Sequence, residues 1–117
     1  MGGRQRLIGN IVLDTPEFGQ VVGYENHSGL TYLGQDVQPL GTVTLGQGNN
    51  LDDAGEGARV HHVIGSYLHG SLLPKNPRIT DYLIGQAARR RCGSFDPEPI
   101  DDTLAERARE VAASRPR

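Results

Sequence analysis

Apolar positions follow two different rhythms along this chain. From residue 7 to about residue 68 they come in short, β-branched runs; beyond residue 76 they recur at helical spacing. Leu7-Ile8-Gly9-Asn10-Ile11-Val12-Leu13 is the first run, stopped by Asp14-Thr15-Pro16. Val21-Val22-Gly23-Tyr24 and Leu30-Thr31-Tyr32-Leu33 follow, and Leu40-Gly41-Thr42-Val43-Thr44-Leu45 alternates with period two, as a strand covered on one face does. Arg59-Val60-His61-His62-Val63-Ile64 and Ser66-Tyr67-Leu68 close the series, divided by Gly65. The Gly/Asn/Asp-rich stretch from Gly46 to Gly57 reads as a loop or long hairpin connection. With no helix between them, such strands pair antiparallel, because parallel neighbours need a crossover of about a dozen residues.

The last third changes period. Asn76 is an N-cap candidate ahead of Pro77 at the first helical position. Ile79, Tyr82, Leu83, Gln86 and Ala87 then share one face of a helix expected over about 77–91. Gly85 within it costs about 1 kcal/mol against Ala. Cys92-Gly93 supplies a C-cap glycine, and Arg89, Arg90 and Arg91 suit the negative end of the helix dipole. Asp96-Pro97-Glu98-Pro99 is a stiff connector. A second helix is expected over about 102–114, with Leu104, Ala108, Val111 and Ala112 as its stripe and capping-box spacing from Thr103 to Glu106.

Composition narrows the possibilities. The chain has 117 residues and a formal charge of −2, which excludes a broadly basic nucleic-acid binder. Residues 1–60 carry three basic and seven acidic side chains, and residues 61–117 nine and seven. With 16 glycines, 5% aromatic residues and no Trp, the core is expected to be thin and aliphatic with many tight turns. No apolar run approaches the roughly 20 residues of a membrane span, and no charged-then-apolar leader is visible, so a soluble cytoplasmic chain is expected. Arg6 stands where a myristoylation motif has Ser or Thr. One cysteine excludes a disulfide scaffold and a paired-cysteine metal site.

The candidate chemistry lies in the histidines. His61 and His62, read as strand neighbours, point to opposite faces and do not share a metal easily, so no metal site and no cofactor are expected. His69 ends the strand Ser66–Leu68 and precedes Gly70, a position where a strand tip delivers a reactive group and the chain turns away. There an imidazole can act as general base and then general acid; a solvated loop histidine is the plainer alternative. Gly23-Tyr24-Glu25-Asn26-His27-Ser28-Gly29 packs an acid, an amide and an imidazole between glycines, and taken alone reads as a polar turn. Gly46-Gln47-Gly48-Asn49-Asn50 lacks the Lys-Ser/Thr of a phosphate-binding loop and reads as a tight turn. The arginine run is most simply a solvated helix end. Cys92 falls at a helix C-terminus, where the dipole opposes a thiolate, so it is read as non-catalytic.

Four of these segments occur in a specific order: Arg6-Leu7-Ile8-Gly9-Asn10-Ile11-Val12, Gly23–Gly29, Gly46–Asn50, and Gly65-Ser66-Tyr67-Leu68-His69-Gly70-Ser71-Leu72-Leu73-Pro74-Lys75-Asn76-Pro77. In that order they resemble the glutaminase subunits of lipid II isoglutaminyl synthase, in the cobyric-acid-synthase-like branch of class I glutamine amidotransferases. The resemblance runs over nearly all of the chain. It implies an α/β domain spanning 1–117 as the C-terminal part of a class I glutamine amidotransferase, with short, largely antiparallel strands (about 7–68) followed by two helices. It implies hydrolysis of glutamine to glutamate and ammonia, and passage of the ammonia to a Mur-ligase-like synthetase subunit. That partner uses ATP to amidate D-glutamate in the lipid II stem peptide. His69 corresponds to the histidine of the family's Cys-His pair and Arg6 to the arginine that binds the substrate; a guanidinium grips an α-carboxylate bidentately.

The family's nucleophilic cysteine lies in a Cys-Gly-Gly-Tyr-Gln-like elbow upstream of the position matching Arg6, and these 117 residues contain no such elbow. The expectation is a portion of a family member that is inactive by itself, marginal, oligomeric or dependent on a complementing segment. Ser71 stands where many class I enzymes carry a Glu two residues after the histidine, and the resemblance suggests an acid supplied by the partner. Two rivals remain at this point. One is the amidotransferase portion of a cobyric acid or cobyrinic acid diamide synthase, which also carries a Tyr-Leu-His-Gly segment. The other is a non-catalytic remnant that only docks a Mur-ligase-like partner.

Overall fold

A computed structural model describes residues 6–70 and 72–116. It opens with a β-hairpin: β1 (Leu7–Thr15) runs through the Pro16–Phe18 turn into β2 (Gly19–His27), paired antiparallel from Leu7 opposite His27 to Thr15 opposite Gly19. β3 (Gly41–Leu45) lies antiparallel to the other side of β1, with a register shift between Val12 and Leu13, and β4 (Gly55–Glu56) pairs with β3. Among the described residues this sheet has the order β2-β1-β3-β4, and β5 (Ala58–Val60) and β6 (Val63–Gly65) form a separate two-stranded ribbon. Three helices complete the chain: α1 (Leu72–Lys75), α2 (Pro77–Cys92) and α3 (Thr103–Ser114). The antiparallel strands and following helices are the fold class that the sequence implied.

Directly opposed residues share a face of the sheet. One face of the hairpin therefore carries Leu7, Ile11 and Leu13 with Val21, Glu25 and His27. The other carries Ile8, Asn10 and Val12 with Val22, Tyr24 and Asn26. The first face builds the core: Ile11, Leu13, Phe18, Val21, Leu40, Leu68 and Ile79 form one buried cluster, with Val43, Ile64, Leu72 and Tyr82 against it. Ile79 brings in α2, and Leu68 brings in the segment that leads to His69. Leu68 approaches β2 so closely that a Cβ on Gly23 would lie 2.7 Å from its side chain, so only glycine fits there.

Several local expectations are corrected. Leu30–Leu33 is not a strand: the Thr31 N–H donates to the Asn49 carbonyl (2.7 Å) and the Thr31 carbonyl accepts from the Asn50 amide (2.8 Å), so its bonds go to a loop and not to a ladder. Ser66–Leu68 is also irregular, its backbone held by side chains described below. His61 and His62 are not strand neighbours; they form the turn between β5 and β6, His61 at φ 53°. The Gly46–Gly57 stretch contains β4.

Asn76 makes no side-chain cap on α2. Its Oδ1 accepts from the Val22 N–H (2.9 Å), and its Nδ2 donates to the carbonyls of Val22 (2.8 Å) and Leu72 (2.7 Å). The side-chain amide thus imitates a strand residue at the outer edge of β2, satisfying a backbone pair that no neighbouring strand meets there. Gly93 does end α2 in the left-handed conformation (φ 82°), its N–H donating to the Arg89 carbonyl. In α3 no side-chain cap forms: Glu106 pairs instead with Arg109 (2.6 Å), and Asp101 accepts from the Thr103 N–H (3.0 Å). The apolar stripe of α3 stays open, Leu104 being 85% exposed. This helix is tied to the hairpin by polar contacts, from Arg109 to the Gln20 side chain (2.8 Å) and from the Asn10 amide to the Ala112 carbonyl (3.4 Å).

Candidate active site

The site grows out of the outer edge of β2. Tyr24 and His69 exchange both backbone hydrogen bonds, Tyr24 N–H to the His69 carbonyl at 3.1 Å and His69 N–H to the Tyr24 carbonyl at 2.7 Å. This one-residue bridge puts His69 directly across from Tyr24, on the face that also carries Asn26. The Asn26 Oδ1 accepts from Arg6 Nε at 2.7 Å. Imidazole and guanidinium are therefore anchored to residues two apart on one strand, about 7 Å along it. Both side chains are exposed. Gly70 follows at φ 30°, and Lys75 Nζ donates to its carbonyl (2.7 Å), closing the loop into α1. Ser71 lies outside the described residues.

The Gly23–Gly29 segment is a strand end, not a turn, as far as His27. Its alternation divides the motif. Tyr24 and Asn26 face His69 and Arg6; Glu25 and His27 face inward and are buried. The Glu25 carboxylate accepts from the backbone N–H groups of Gln47 (2.8 Å) and Gly48 (3.0 Å). The glycine loop thus does cradle an anion, and the anion is an internal carboxylate rather than a phosphate. His27 stacks on Tyr67 with ring centroids 3.9 Å apart and planes 6° from parallel, shares its Nδ1 with the Gly29 carbonyl (2.9 Å), and turns Nε2 toward Glu25 Oε1 at 3.6 Å. Tyr67 in turn shares a hydrogen bond with the Thr31 hydroxyl (2.7 Å).

A second buried carboxylate escapes the sequence reading altogether. Glu56 is fully buried. It accepts from the Tyr67 N–H (2.6 Å) and from the Ser66 hydroxyl (3.1 Å to each oxygen). Burial pushes its carboxyl up to about 7, against the lowering effect of those two donors and with help from the negative charge of nearby Glu25. Its sequence setting, Gly55-Glu56-Gly57 in a polar stretch, gives no periodic signal. A lone acid with a glycine on each side in a short strand was the available cue.

Cys92 is exposed at the C-terminal end of α2, the far end of about 24 Å of helix from the Asn76 turn. Among the described residues no cluster of three or more His, Cys, Asp or Glu side chains is arranged to hold a metal ion, and no helix is long and apolar enough to cross a membrane.

An exposed imidazole and an exposed guanidinium on one sheet face suit binding a small carboxylate-bearing substrate and moving protons beside it. The CobB/CobQ-like glutamine amidotransferase domain matches residues 1–77, and the chain belongs to that family. Over 110 residues it is 46% identical to the lipid II isoglutaminyl synthase (glutamine-hydrolyzing) subunit GatD of Staphylococcus aureus (strain N315), covering 94% of this chain and 44% of the relative. To the corresponding subunit of Streptococcus pneumoniae (strain ATCC BAA-255 / R6) it is 39% identical over 89 residues, 75% of this chain and 34% of the relative. A probable cobyric acid synthase of Methanothermobacter thermautotrophicus is 36% identical over 100 residues, 86% of this chain and 19% of the relative. The chain thus spans less than half the length of these curated relatives.

Proposed function

We propose that this chain supplies the substrate-gripping and proton-transferring part of the glutaminase subunit of lipid II isoglutaminyl synthase. The observation that carries the reading is the placement of His69 and Arg6 on one face of β2, in a chain 46% identical to a glutamine-hydrolysing subunit. Arg6, oriented through Asn26, takes the α-carboxylate of glutamine. A cysteine thiol outside these 117 residues gives its proton to the His69 imidazole as its sulfur attacks the side-chain amide carbon. His69 then protonates the departing ammonia, and water, deprotonated by the same imidazole, releases glutamate from the thioester. Ammonia passes to an ATP-dependent, Mur-ligase-like subunit in the cytoplasm, which amidates D-glutamate of the lipid II stem peptide. The higher identity to the Staphylococcus aureus subunit, 46% over 110 residues against 36% over 100 for the cobyric acid synthase, favours the lipid II reading.

Ammonia release from glutamine tests this. The chain alone gives none. Mixed or co-expressed with a polypeptide bearing the family's Cys-Gly-Gly elbow, it hydrolyses glutamine. In that pair His69→Ala lowers kcat by about 10²–10⁴-fold. Arg6→Ala raises KM. Turnover by the chain alone, or complemented turnover indifferent to His69→Ala, overturns the reading.

A further inference from the structure

The four residues that end at His69 belong to no strand, yet three of their backbone donors, those of Tyr67, Leu68 and His69, are held. The Tyr67 N–H donates to Glu56 Oε1 (2.6 Å) and the Leu68 N–H to Ser66 Oγ (3.0 Å). Ser66 Oγ itself donates to the Glu56 carboxylate (3.1 Å), and only the His69 N–H reaches β2 (2.7 Å). One buried carboxylate, directly and through one hydroxyl, therefore organises the segment for which a neighbouring strand would ordinarily provide acceptors. Leu68, seated against Gly23, takes up the apolar half of the same fixation. β4, where Glu56 sits, is itself secured through the Gly41 and Thr42 pairs with β3, so the grip is anchored to the sheet.

We propose that Glu56 is a positioning residue for His69: its carboxylate, through Tyr67 and Ser66, sets where the imidazole stands at the edge of β2. What the imidazole then does rests on the glutaminase reading; the grip does not. Glutamine fits the same place, its Oε1 accepting from Tyr67 and its amide donating to the second lone pair of Ser66 Oγ, whereas alanine leaves both without a partner. The charged group that acts on the carboxylate is Glu25 on β2, itself beside His27, which stacks on the Tyr67 ring; Ser66 is its polar neighbour. Because the carboxyl titrates near 7, the amide signals of Tyr67 and Leu68 should show a common step near that pH in the unaltered chain.

Nuclear magnetic resonance on the isotope-labelled chain reads each part. In Glu56→Ala the amides of Tyr67, Leu68 and His69 exchange with solvent about tenfold faster, beyond any change at Ile11 and Leu13 in the core. The His69 ring signals shift or broaden while those of His61 stay in place. Glu56→Gln keeps the protection and the ring signals but loses the step near pH 7. If Glu56→Ala fails to fold, Ser66→Ala replaces it, and the Leu68 amide alone gains exchange with the same effect on the His69 ring. Equal acceleration at Ile11 and Leu13, a His69 ring unmoved by these variants, or a Tyr67 step that survives Glu56→Gln overturns the proposal. None of these readouts involves glutamine, so failure here and failure of the ammonia-release test are told apart.

Discussion

The two halves of the strand region are held together by different kinds of bond. The β1–β2 hairpin is a continuous ladder of nine opposed pairs, one face apolar and buried. From Gly46 to Gly70 the chain makes only short strand pairings, and side chains do much of the work elsewhere. Asn49 exchanges both bonds with Gly57 (2.8 and 2.9 Å), Asn50 Oδ1 accepts from the N–H groups of Asp52 and Asp53 (2.8 Å each), Glu25 holds Gln47 and Gly48, and Glu56 holds Tyr67. A ladder repeats and tolerates the loss of one rung. A side-chain brace is unique, and its removal leaves a buried donor with nothing to bond. The proposed chemistry sits at the braced end: His69 hangs from one bridge on β2, and the last brace before it is Glu56.

This contrast predicts where substitutions strike. The largest loss belongs to the core of the ladder. Leu13→Ala, at a fully buried position, lowers unfolding stability by about 2–5 kcal/mol in a urea titration. Next comes a pH-dependent effect in the braced half. The Glu56 carboxyl stands at about 7 in the folded chain against 4.5 ordinarily, so the fold binds its proton more tightly than the unfolded chain does. Its contribution to stability is full below pH 4.5 and is lost as pH rises through 7. Glu56→Gln is therefore about as stable as the parent at acid pH and gains up to about 3 kcal/mol over it by pH 8. A flat difference between the two across that range breaks the account of the buried carboxyl.

Asn76→Ala leaves the Val22 N–H and carbonyl without their side-chain partners and costs about 2 kcal/mol. A loss as small as that of a surface substitution would mean that water replaces the amide. Gly93→Ala, which forces a Cβ into the left-handed region at φ 82°, costs about 1 kcal/mol. Arg6→Ala, at an exposed position, changes stability by less than about 0.5 kcal/mol, so its effect on KM in the complemented enzyme is separable from folding.

Legibility in the sequence divides along the same line. Period-two alternation marked β3, and β-branched runs marked β1 and β2, because those elements bury one face continuously. Pro77 and Gly93 bracketed α2 through backbone chemistry that belongs to those residues alone. Asn76 gives the same signal, an amide before Pro, whether the amide caps a helix or completes the edge of a strand 54 residues earlier in the chain; only the tertiary approach of α1 and α2 to Val22 decides. Leu30–Leu33 has the residues of a strand, but the Thr31 N–H and carbonyl are taken by Asn49 and Asn50. His69 is singled out in the sequence by its place before Gly70 and by the family motif, and the structure sets it at the exposed edge of β2. Glu56 is not singled out, since a buried carboxylate looks like any polar loop residue until its donors, ten and eleven positions away, are in view.

If Arg6 and His69 serve one site, a single ligand moves both. L-Glutamine titrated into the labelled chain tests it most directly. The Arg6 Nε–H, the Asn26 side-chain amide and the His69 ring signals then move along a single binding curve. Movement of the His69 ring without Arg6, or stillness of both at glutamine concentrations that saturate the complemented enzyme, contradicts it.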